Sequence, residues 1–273
     1  MAFYGKVALV TGGGSGMGQE AAWQLAAAGA TVAIADLNES GLAQTRARYP
    51  EQIHSFLVNV CDPEAVAELV AAVERDCGPI DRLTHAAGIM PTGLLAAVSA
   101  DAITRAMAVN FNGTVNLVSA VLPAMLARDS GDIILFGSMA GDVLTNHLGA
   151  YCASKAAVNA YGEILTHELE KTRLRVLLVC PPMVNTPLVE QGEEHRPPSV
   201  QYALDRRDSQ MLTPAYMVEA IEAGIEKGVR ILRPGNARVM VWLRRHFPWL
   251  VWKIIKLANR GEQNVGLTAE QSS

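Results

Sequence analysis

Tyr151 and Lys155 have the side chains and the spacing of an acid–base pair. Because they are four residues apart, a helix would place both on one face. A tyrosine pKa of about 10 is too high for a base at neutral pH, but a neighbouring ammonium would stabilise the phenolate and lower that pKa. Such a tyrosine could take a proton from an alcohol or return one to an alkoxide. The alternative for the pair alone is a half-buried tyrosine and a solvated lysine.

A glycine-rich segment at residues 11–18 follows the apolar run 7–10 and precedes the helix-like stretch 19–28. Glycines let the backbone turn tightly and approach a pyrophosphate, and a helix N-terminus offers unpaired N–H groups to phosphates. The alternative is a glycine-rich turn that binds nothing. The context favours a nucleotide site, with contacts from Gly12, Ser15, Gly16, Met17 and Gly18.

Asp36 ends a second strand-like run, residues 31–35, and lies 18 residues beyond Gly18. This is near the spacing of about 20 expected for the carboxylate that holds the ribose hydroxyls of NAD. Asp36 could also be a helix N-cap before Asn38, and the two roles can coexist. Its charge would repel a 2′-phosphate, and there is no Lys or Arg between Gly18 and Arg46. We therefore expect NAD(H) rather than NADP(H).

Strand-like and helix-like segments alternate along the first 180 residues. Apolar runs predict strands at 7–10, 31–35, 53–58, 82–86, 132–136 and 175–180, and helical stretches include 63–76, 101–127 and 150–171. Repeated βαβ units predict an α/β fold with a doubly wound parallel sheet of about seven strands, of Rossmann type. Ligands of such sheets bind beyond the carboxyl ends of the strands, where the polar and glycine residues gather.

The ordered motifs resemble those of the short-chain dehydrogenase/reductase family over about residues 5–235. They are the segment 11–18, Asn110, Ser138, the Tyr151/Lys155 pair, and Pro-x-x-Val-x-Thr at 181–186. Each lies at a predicted strand end or helix start. The resemblance implies an NAD(H)-dependent oxidoreductase that interconverts a secondary alcohol and a ketone.

The predicted catalytic residues are Ser138, Tyr151, Lys155 and Asn110. Ser138 would hydrogen-bond the substrate oxygen, or else cap a turn. The resemblance implies that Lys155 also holds the nicotinamide ribose and that Asn110 anchors a proton-relaying water; Asn110 could instead only distort its helix. The remaining predicted cofactor contacts are Val60, Asp62, Ala87, Gly88, Val184 and Thr186, with Tyr151 and Lys155 counted among them.

Three positions depart from the family pattern. The segment 85–88 reads His-Ala-Ala-Gly where the family usually has Asn-Asn-Ala-Gly or Asn-Ala-Gly, Asn59 stands where Asp is frequent, and Pro182 replaces a glycine. We expect these changes to affect cofactor affinity more than the type of reaction.

Apolar residues surround the predicted catalytic groups, and the segment 187–213 has the position of a substrate lid. The pocket candidates are Ile89, Met90, Leu94, Met139, Val143, Leu144, Leu148, Met183 and Leu188. Core packing is the alternative for each one. Together they favour a hydrophobic, lipid-like or steroid-like alcohol or ketone, and the predicted substrate contacts are Ser138, Tyr151, Met90, Val143, Leu144 and Leu188.

Charge is distributed unevenly along the 273 residues. The net charge is −4, yet residues 227–261 contain nine Lys or Arg and no Asp or Glu. The acidic remainder argues against nucleic acid as a partner. The four cysteines show neither a CxxC pair nor metal-ligand spacing, so we expect reduced thiols, no metal and a cytoplasmic protein. We expect no secretory signal and no apolar stretch long enough to span a bilayer.

We divide the chain into a dehydrogenase domain, residues 1–235, and a basic extension, residues 236–273, that contains Trp242, Trp249 and Trp252. Pro248 should interrupt any helix there. Lys253, Lys256 and Arg260 are spaced i, i+3 and i+7, as in a helix that lies on an anionic membrane, which we place at 238–260. The alternative is a helix packed on another subunit or over the substrate pocket.

The family resemblance implies a homodimer or homotetramer. The competing interpretation of function is a non-catalytic NAD(H)-binding protein that acts as a redox sensor or scaffold. Retention of Ser138, Tyr151 and Lys155 argues against it.

Overall fold

The computed structural model describes residues 3, 5–190 and 197–259. Its centre is a seven-stranded parallel sheet with the order β3-β2-β1-β4-β5-β6-β7. The strands are β1 Val7–Thr11, β2 Thr31–Asp36, β3 Ile53–Leu57, β4 Arg82–His85, β5 Asp132–Phe136, β6 Arg175–Val179 and β7 Ile231–Leu232. This order confirms the predicted doubly wound sheet, and the six predicted strands agree with the observed ones to within one residue at each end.

Eleven α-helices lie among the described residues and cover both faces of the sheet. They are α1 Gly16–Ala27, α2 Glu39–Ala47, α3 Pro63–Asp76, α4 Ala100–Met107, α5 Gly113–Arg128, α6 Gly149–Glu168, α7 Pro198–Asp205, α8 Arg207–Gln210, α9 Pro214–Glu226, α10 Ala237–His246 and α11 Pro248–Ala258. Side chains of β1 alternate between two hydrophobic clusters, because successive strand residues point to opposite faces. Val7 and Leu9 pack with α3 and α5, whereas Ala8 and Val10 pack with α1.

The predicted helix 101–127 is interrupted. A π-helical turn, Ala108–Asn112, separates α4 from α5. The whole run Ala100–Arg128 is long and apolar enough to cross a membrane by length and composition alone. Residues 106–127 carry no charged side chain, so the expectation that no stretch reaches this length is wrong. In the fold, α5 is a core helix that packs on the sheet through Leu117, Val118, Val121 and Met125.

A buried ionic cluster lies at the amino ends of β4, β5 and β6. Arg82 donates to Asp132 Oδ2 through Nε at 3.1 Å and Nη2 at 2.9 Å, and to Glu222 Oε1 on α9. Arg175 Nε contacts Asp132 Oδ1 at 2.6 Å, and the Phe3 ring covers the Arg82 guanidinium. This cluster joins three strands and a helix at the edge of the sheet opposite the motifs.

The helices α10 and α11 follow β7. Pro248 occupies the first turn of α11, where the missing N–H costs no helical hydrogen bond, so the predicted interruption falls between two helices. The buried side chains of Val251 and Ile255 pack against Val143, which follows β5. The chain after Gly235 therefore returns to the carboxyl edge of the sheet.

Candidate active site

The glycine-rich turn between β1 and α1 has a backbone that other residues could not adopt. Gly12 has φ +69°, and a Cβ there would lie 2.7 Å from the backbone of Ala86 and Ala87. A Cβ on Gly18 would collide with the Gly12 carbonyl. Within the described residues, the Ser15 side chain does not cap α1, and Gly16, Met17 and Gly18 in the first turn of this helix line an open cleft. This is the arrangement that binds a pyrophosphate.

A cleft of about 800 Å³ runs along the carboxyl ends of β1, β2 and β4. A cavity of this size is typical of a cofactor site. Most of the residues predicted to hold a cofactor line it together: Gly12, Ser15, Gly16, Met17, Gly18, Asp36, Val60, Ala87, Gly88 and Thr186. The glycine-rich turn between β1 and α1 fits a dinucleotide because its glycines place no Cβ between the backbone and the phosphates.

Asp36 lines this cleft at the end of β2. Its Oδ2 accepts a hydrogen bond from the Gly14 N–H and its Oδ1 accepts one from the Asn38 N–H, each at 3.0 Å. Asn38, rather than Asp36, is the N-cap of α2. The carboxylate therefore braces the glycine-rich loop at the wall of the cleft.

Asn59 and Asp62, which both follow β3, have different positions relative to the cleft. Asn59 lines the cleft beside Val60, and its Oδ1 accepts a hydrogen bond from the Cys61 N–H at 3.0 Å. Asp62 is not among the residues that line the cleft; its carboxylate caps α3 by accepting hydrogen bonds from the N–H groups of Glu64 and Ala65. The structure therefore does not bring Asp62 to the cofactor cleft, because its side chain is used by the helix that follows.

Ser138, Tyr151 and Lys155 meet in a second, adjoining cavity of about 230 Å³. The Ser138 side chain lies beside Tyr151, close enough to act on the pKa of its hydroxyl. Lys155 Nζ donates to the Phe136 carbonyl oxygen at 2.7 Å and lies 5.9 Å from the centroid of the Tyr151 ring. Met17, Gly88 and Thr186 line both cavities, so the three polar groups stand where the cofactor cleft opens into the smaller chamber.

Burial determines the proton affinities of this pair. Desolvation raises the pKa of Tyr151 to about 12, and the hydrogen bond with Ser138 opposes this rise. Desolvation also lowers the pKa of Lys155 to about 8. The expectation that Lys155 lowers the tyrosine pKa is thus not met by the protein chain alone. Both groups are buried, and loss of water disfavours the phenolate and the ammonium alike.

Asn110 lies in the π-helical turn, which rotates it towards α6 and the loop after β4. Its Nδ2 donates to the Ile89 carbonyl at 2.9 Å and to Ser154 Oγ at 2.8 Å, and its Oδ1 accepts from the Ile89 N–H at 2.8 Å. A Cβ on Gly88 would lie 3.0 Å from Asn110 Oδ1 and 3.7 Å from Lys155 Nζ. Asn110 therefore fixes the loop that borders both cavities and lies near the lysine.

His85, the main departure from the family pattern, lies at the end of β4 and is fully buried. Its Nδ1 and the Thr11 hydroxyl are 2.6 Å apart, which ties β4 to β1. Desolvation, with the nearby Lys155 charge, lowers the pKa of His85 to about 3, so the imidazole is neutral. His85 Nε2 has no hydrogen-bond partner among the described residues.

Asn159 was missed by the sequence interpretation. It follows Tyr151 and Lys155 at intervals of four on one face of α6. Its Oδ1 accepts from the Ser138 N–H at 3.2 Å and its Nδ2 donates to the Ser138 carbonyl at 3.0 Å. These two bonds hold the backbone of Ser138 against the helix that carries Tyr151 and Lys155. The regular spacing was the available signal.

Apolar side chains form the wall of the smaller cavity. Among the predicted pocket residues, Met90, Met139, Val143, Leu148, Met183 and Leu188 line it, as does the predicted cofactor contact Val184. Leu144 does not line the cavity and is 36% exposed, because the turn after Val143 directs it outward. Lining residues beyond the predicted set include Ser199 and Val200 from α7, Met240 from α10 and Ile255 from α11.

Comparison with known proteins agrees with this geometry. The short chain dehydrogenase family model matches residues 6–197, and the chain belongs to this family. An uncharacterized oxidoreductase of Staphylococcus saprophyticus is 38% identical over 187 residues, which cover 67% of this chain and 80% of that protein. Estradiol 17-beta-dehydrogenase 11 of Rattus norvegicus is 27% identical over 259 residues, which cover 92% of this chain and 83% of that protein.

A solved structure of the same family has the same fold. A crystal structure of a short chain dehydrogenase/reductase from Burkholderia phymatum in complex with NAD has a TM-score of 0.78 and 26% identity, covering 98% of this chain and 100% of that one. The chain is therefore an oxidoreductase of a family that acts on CH–OH groups and binds nicotinamide cofactors.

Proposed function

We propose that this protein is an NAD(H)-dependent oxidoreductase that interconverts a secondary alcohol and a ketone on a hydrophobic, lipid-like or steroid-like substrate. The observation that carries the proposal is the meeting of Ser138, Tyr151 and Lys155 where a cofactor-sized cleft joins an apolar cavity. A hydride donor in the first space would face a carbonyl in the second, with the proton donor beside both.

The nicotinamide supplies or accepts the hydride when it is bound. Tyr151 donates its phenolic proton to the carbonyl oxygen in reduction and takes the alcohol proton in oxidation. Ser138 holds the same oxygen and stabilises its developing charge. Lys155, fixed by the Phe136 carbonyl, places a positive charge near the phenolate, and Asn110 holds the adjoining loop for the water that relays protons to Lys155.

The preference for NAD(H) rests on Asp36. Its carboxylate lines the cleft beside the glycine-rich loop, where it would accept hydrogen bonds from ribose hydroxyls and repel a 2′-phosphate. The remaining proposed contacts with this cofactor are Val60, Ala87, Gly88, Val184 and Thr186.

The proposed substrate class rests on the chamber wall. Its lining is predominantly apolar and includes Tyr151 and Ser138 among a few polar groups, which suits a large, mostly apolar alcohol. Estradiol in the name of the rat relative is such a molecule. We further propose a cytoplasmic location, on the pattern of the four cysteines, and a homodimer or homotetramer, on the family resemblance.

The test is a comparison of Tyr151→Phe with Tyr161→Phe, both on α6. Tyr161 lies ten residues further along the helix and packs edge-on against Phe111, so its variant also removes one hydroxyl from this helix. Alcohol oxidation with NAD⁺ is measured for substrates from short aliphatic alcohols to hydroxysteroids. We expect Tyr151→Phe to lower kcat by about 10²–10⁴ with NADH affinity retained, and Tyr161→Phe to resemble wild type.

Turnover that rises with substrate hydrophobicity supports the proposed chamber, whereas activity confined to small polar alcohols contradicts it. Tight NADH binding by wild type without turnover of any alcohol or ketone would favour the non-catalytic sensor or scaffold. Equal activity of the two variants would show that Tyr151 is not the proton donor.

A further inference from the structure

The outward surface of α10 and α11 exposes large apolar side chains. Trp242 is 53% exposed and Trp249 is 66% exposed, and Val239, Phe247 and Leu257 accompany them. We refer to this surface as the tail face. Contiguous exposed aromatic surface is uncommon on a soluble monomer and is typical of an interaction site.

The tail face carries only positive charge. Arg238, Arg245, Lys253 and Lys256 are exposed, and Arg244 lies over the Trp252 ring, 5.7 Å from its centroid. Residues 227–261 contain no Asp or Glu. Among the residues that the structure describes, none of these five cations forms an ion pair. The charges are therefore available to an anionic partner.

The two properties meet in an open surface groove of about 750 Å³ on α11. It is lined by Trp249, Trp252, Lys253, Lys256 and Leu257. Trp249, Lys253 and Lys256 follow one another at intervals of four and three residues, so successive helical turns present a ring and two ammonium groups on one side. Arg260, predicted to continue this series, lies outside the described residues.

We propose that the tail face docks on an anionic lipid bilayer. Tryptophan is favoured at the level of the lipid headgroups, and lysines beside it attract anionic headgroups while their methylene stems lie along apolar surface. A second copy of the chain is a poorer occupant, because a twofold contact would set the same lysines of both copies against one another. An anionic surface neutralises them.

The opposite side of α11 connects this surface with the chamber. Val251 is fully buried, and Ile255 lines the apolar cavity together with Met240. One helix, about 10 Å across, therefore separates the lipid surface from the chamber. This step rests on the proposed function: a hydrophobic alcohol dissolved in the bilayer would reach the chamber along the edges of α11 without crossing bulk water.

The docking itself is tested by sedimentation with lipid vesicles, without any turnover. The vesicles contain either phosphatidylcholine alone or phosphatidylcholine with about one-third phosphatidylglycerol. The double variant Lys253→Gln/Lys256→Gln is compared with Lys171→Gln/Lys227→Gln, whose lysines are also exposed but lie away from the tail face. A lysine near an anionic surface contributes about a factor of five to partitioning, so the first variant should lose about thirty-fold and the second little.

Insertion of the aromatic side chains is a separate readout. Brominated acyl chains should quench the tryptophan fluorescence of wild type on anionic vesicles, and Trp249→Phe should reduce this quenching. Equal binding to neutral and anionic vesicles, or equal loss in both lysine variants, would overturn the proposal. A Trp249→Glu variant that dissociates an oligomer and leaves vesicle binding unchanged would assign the tail face to a second copy instead.

The link to the chamber has its own measurement. For an alcohol carried in anionic vesicles, Lys253→Gln/Lys256→Gln should raise KM several-fold, while KM for a water-soluble alcohol stays unchanged. An unchanged KM for both alcohols would refute delivery from the bilayer. Because vesicle binding is measured without turnover, a wild-type protein that binds anionic vesicles but turns over no alcohol or ketone would keep the docking surface while refuting the proposed reaction, so the two hypotheses fail separately.

Discussion

The exchange of Asp36 for Asn isolates one charge in the cofactor cleft. The amide oxygen of Asn can still accept the hydrogen bond that the Gly14 N–H now donates to Asp36 Oδ2 at 3.0 Å, so the contact with the glycine-rich loop should be kept. The amide nitrogen replaces the oxygen that accepts from the Asn38 N–H, so that one bond at the start of α2 is lost. What disappears is the negative charge that would face a 2′-phosphate. The variant therefore separates electrostatic selection of the cofactor from bracing of the loop.

The size of the effect follows from the position of Asp36. Two unit charges about 4 Å apart repel by about 1 kcal/mol in water and about 4 kcal/mol at an effective dielectric constant of 20. Asp36 is partly exposed, so we expect about 1–3 kcal/mol, or about five- to 150-fold higher kcat/KM with NADP⁺. Loss of a charged acceptor for the ribose hydroxyls should lower kcat/KM with NAD⁺ by about tenfold or more.

The assay is reduction of NAD⁺ and of NADP⁺ at subsaturating concentration, with one alcohol held constant. Asp62→Asn is the matched control, because its carboxylate caps α3 and does not line the cleft. It should leave the NAD⁺/NADP⁺ ratio unchanged. If Asp36→Asn also leaves the ratio unchanged, repulsion by this carboxylate does not select the cofactor and the reasoning is refuted.

Two further predictions concern buried charges. Because the pKa of Lys155 is lowered to about 8 in the fold, the unfolded chain holds more protons above that pH, and the free energy of unfolding should rise towards pH 10. Urea unfolding at several pH values should show this rise of up to about 3 kcal/mol in wild type and not in Lys155→Met. A parallel rise in the variant would contradict the prediction. Arg82→Met leaves Asp132 and Glu222 buried with one cation fewer and should cost about 3–5 kcal/mol of unfolding free energy. A loss below about 1 kcal/mol would show that the cluster is better hydrated than its burial indicates.

The local sequence pattern was sufficient to predict most strands of the sheet. Continuous apolar runs such as that of β1 identify strands buried on both faces, and the glycine-rich turn predicts its own backbone because Gly12 must adopt a positive φ. Strand β7 contains only Ile231 and Leu232. Two residues give no period to detect, so its place beside β6 is set by tertiary pairing.

The arrangement of site residues could be predicted where their spacing in the sequence alone determines it, as for Tyr151 and Lys155 on one face of a helix. The π-helical turn at Asn110 was not, because it is imposed by hydrogen bonds to Ile89 and Ser154, which are distant in sequence. The use of Asp62 as a helix cap and the outward direction of Leu144 likewise depend on backbone geometry. The His85 contact with Thr11 becomes visible only once the register of β1 and β4 is known.

The packing of α11 over the cavity has a consequence for how specificity is inherited. Residues 6–197 match the family model, yet Met240 and Ile255, which form part of the chamber wall, are encoded after that segment. Proteins that share every motif from the glycine-rich turn to Thr186 can therefore differ in the shape of the space above Tyr151. Exchanging the residues after Gly235 between two such proteins would therefore change part of the chamber wall and leave the residues around Tyr151 unchanged.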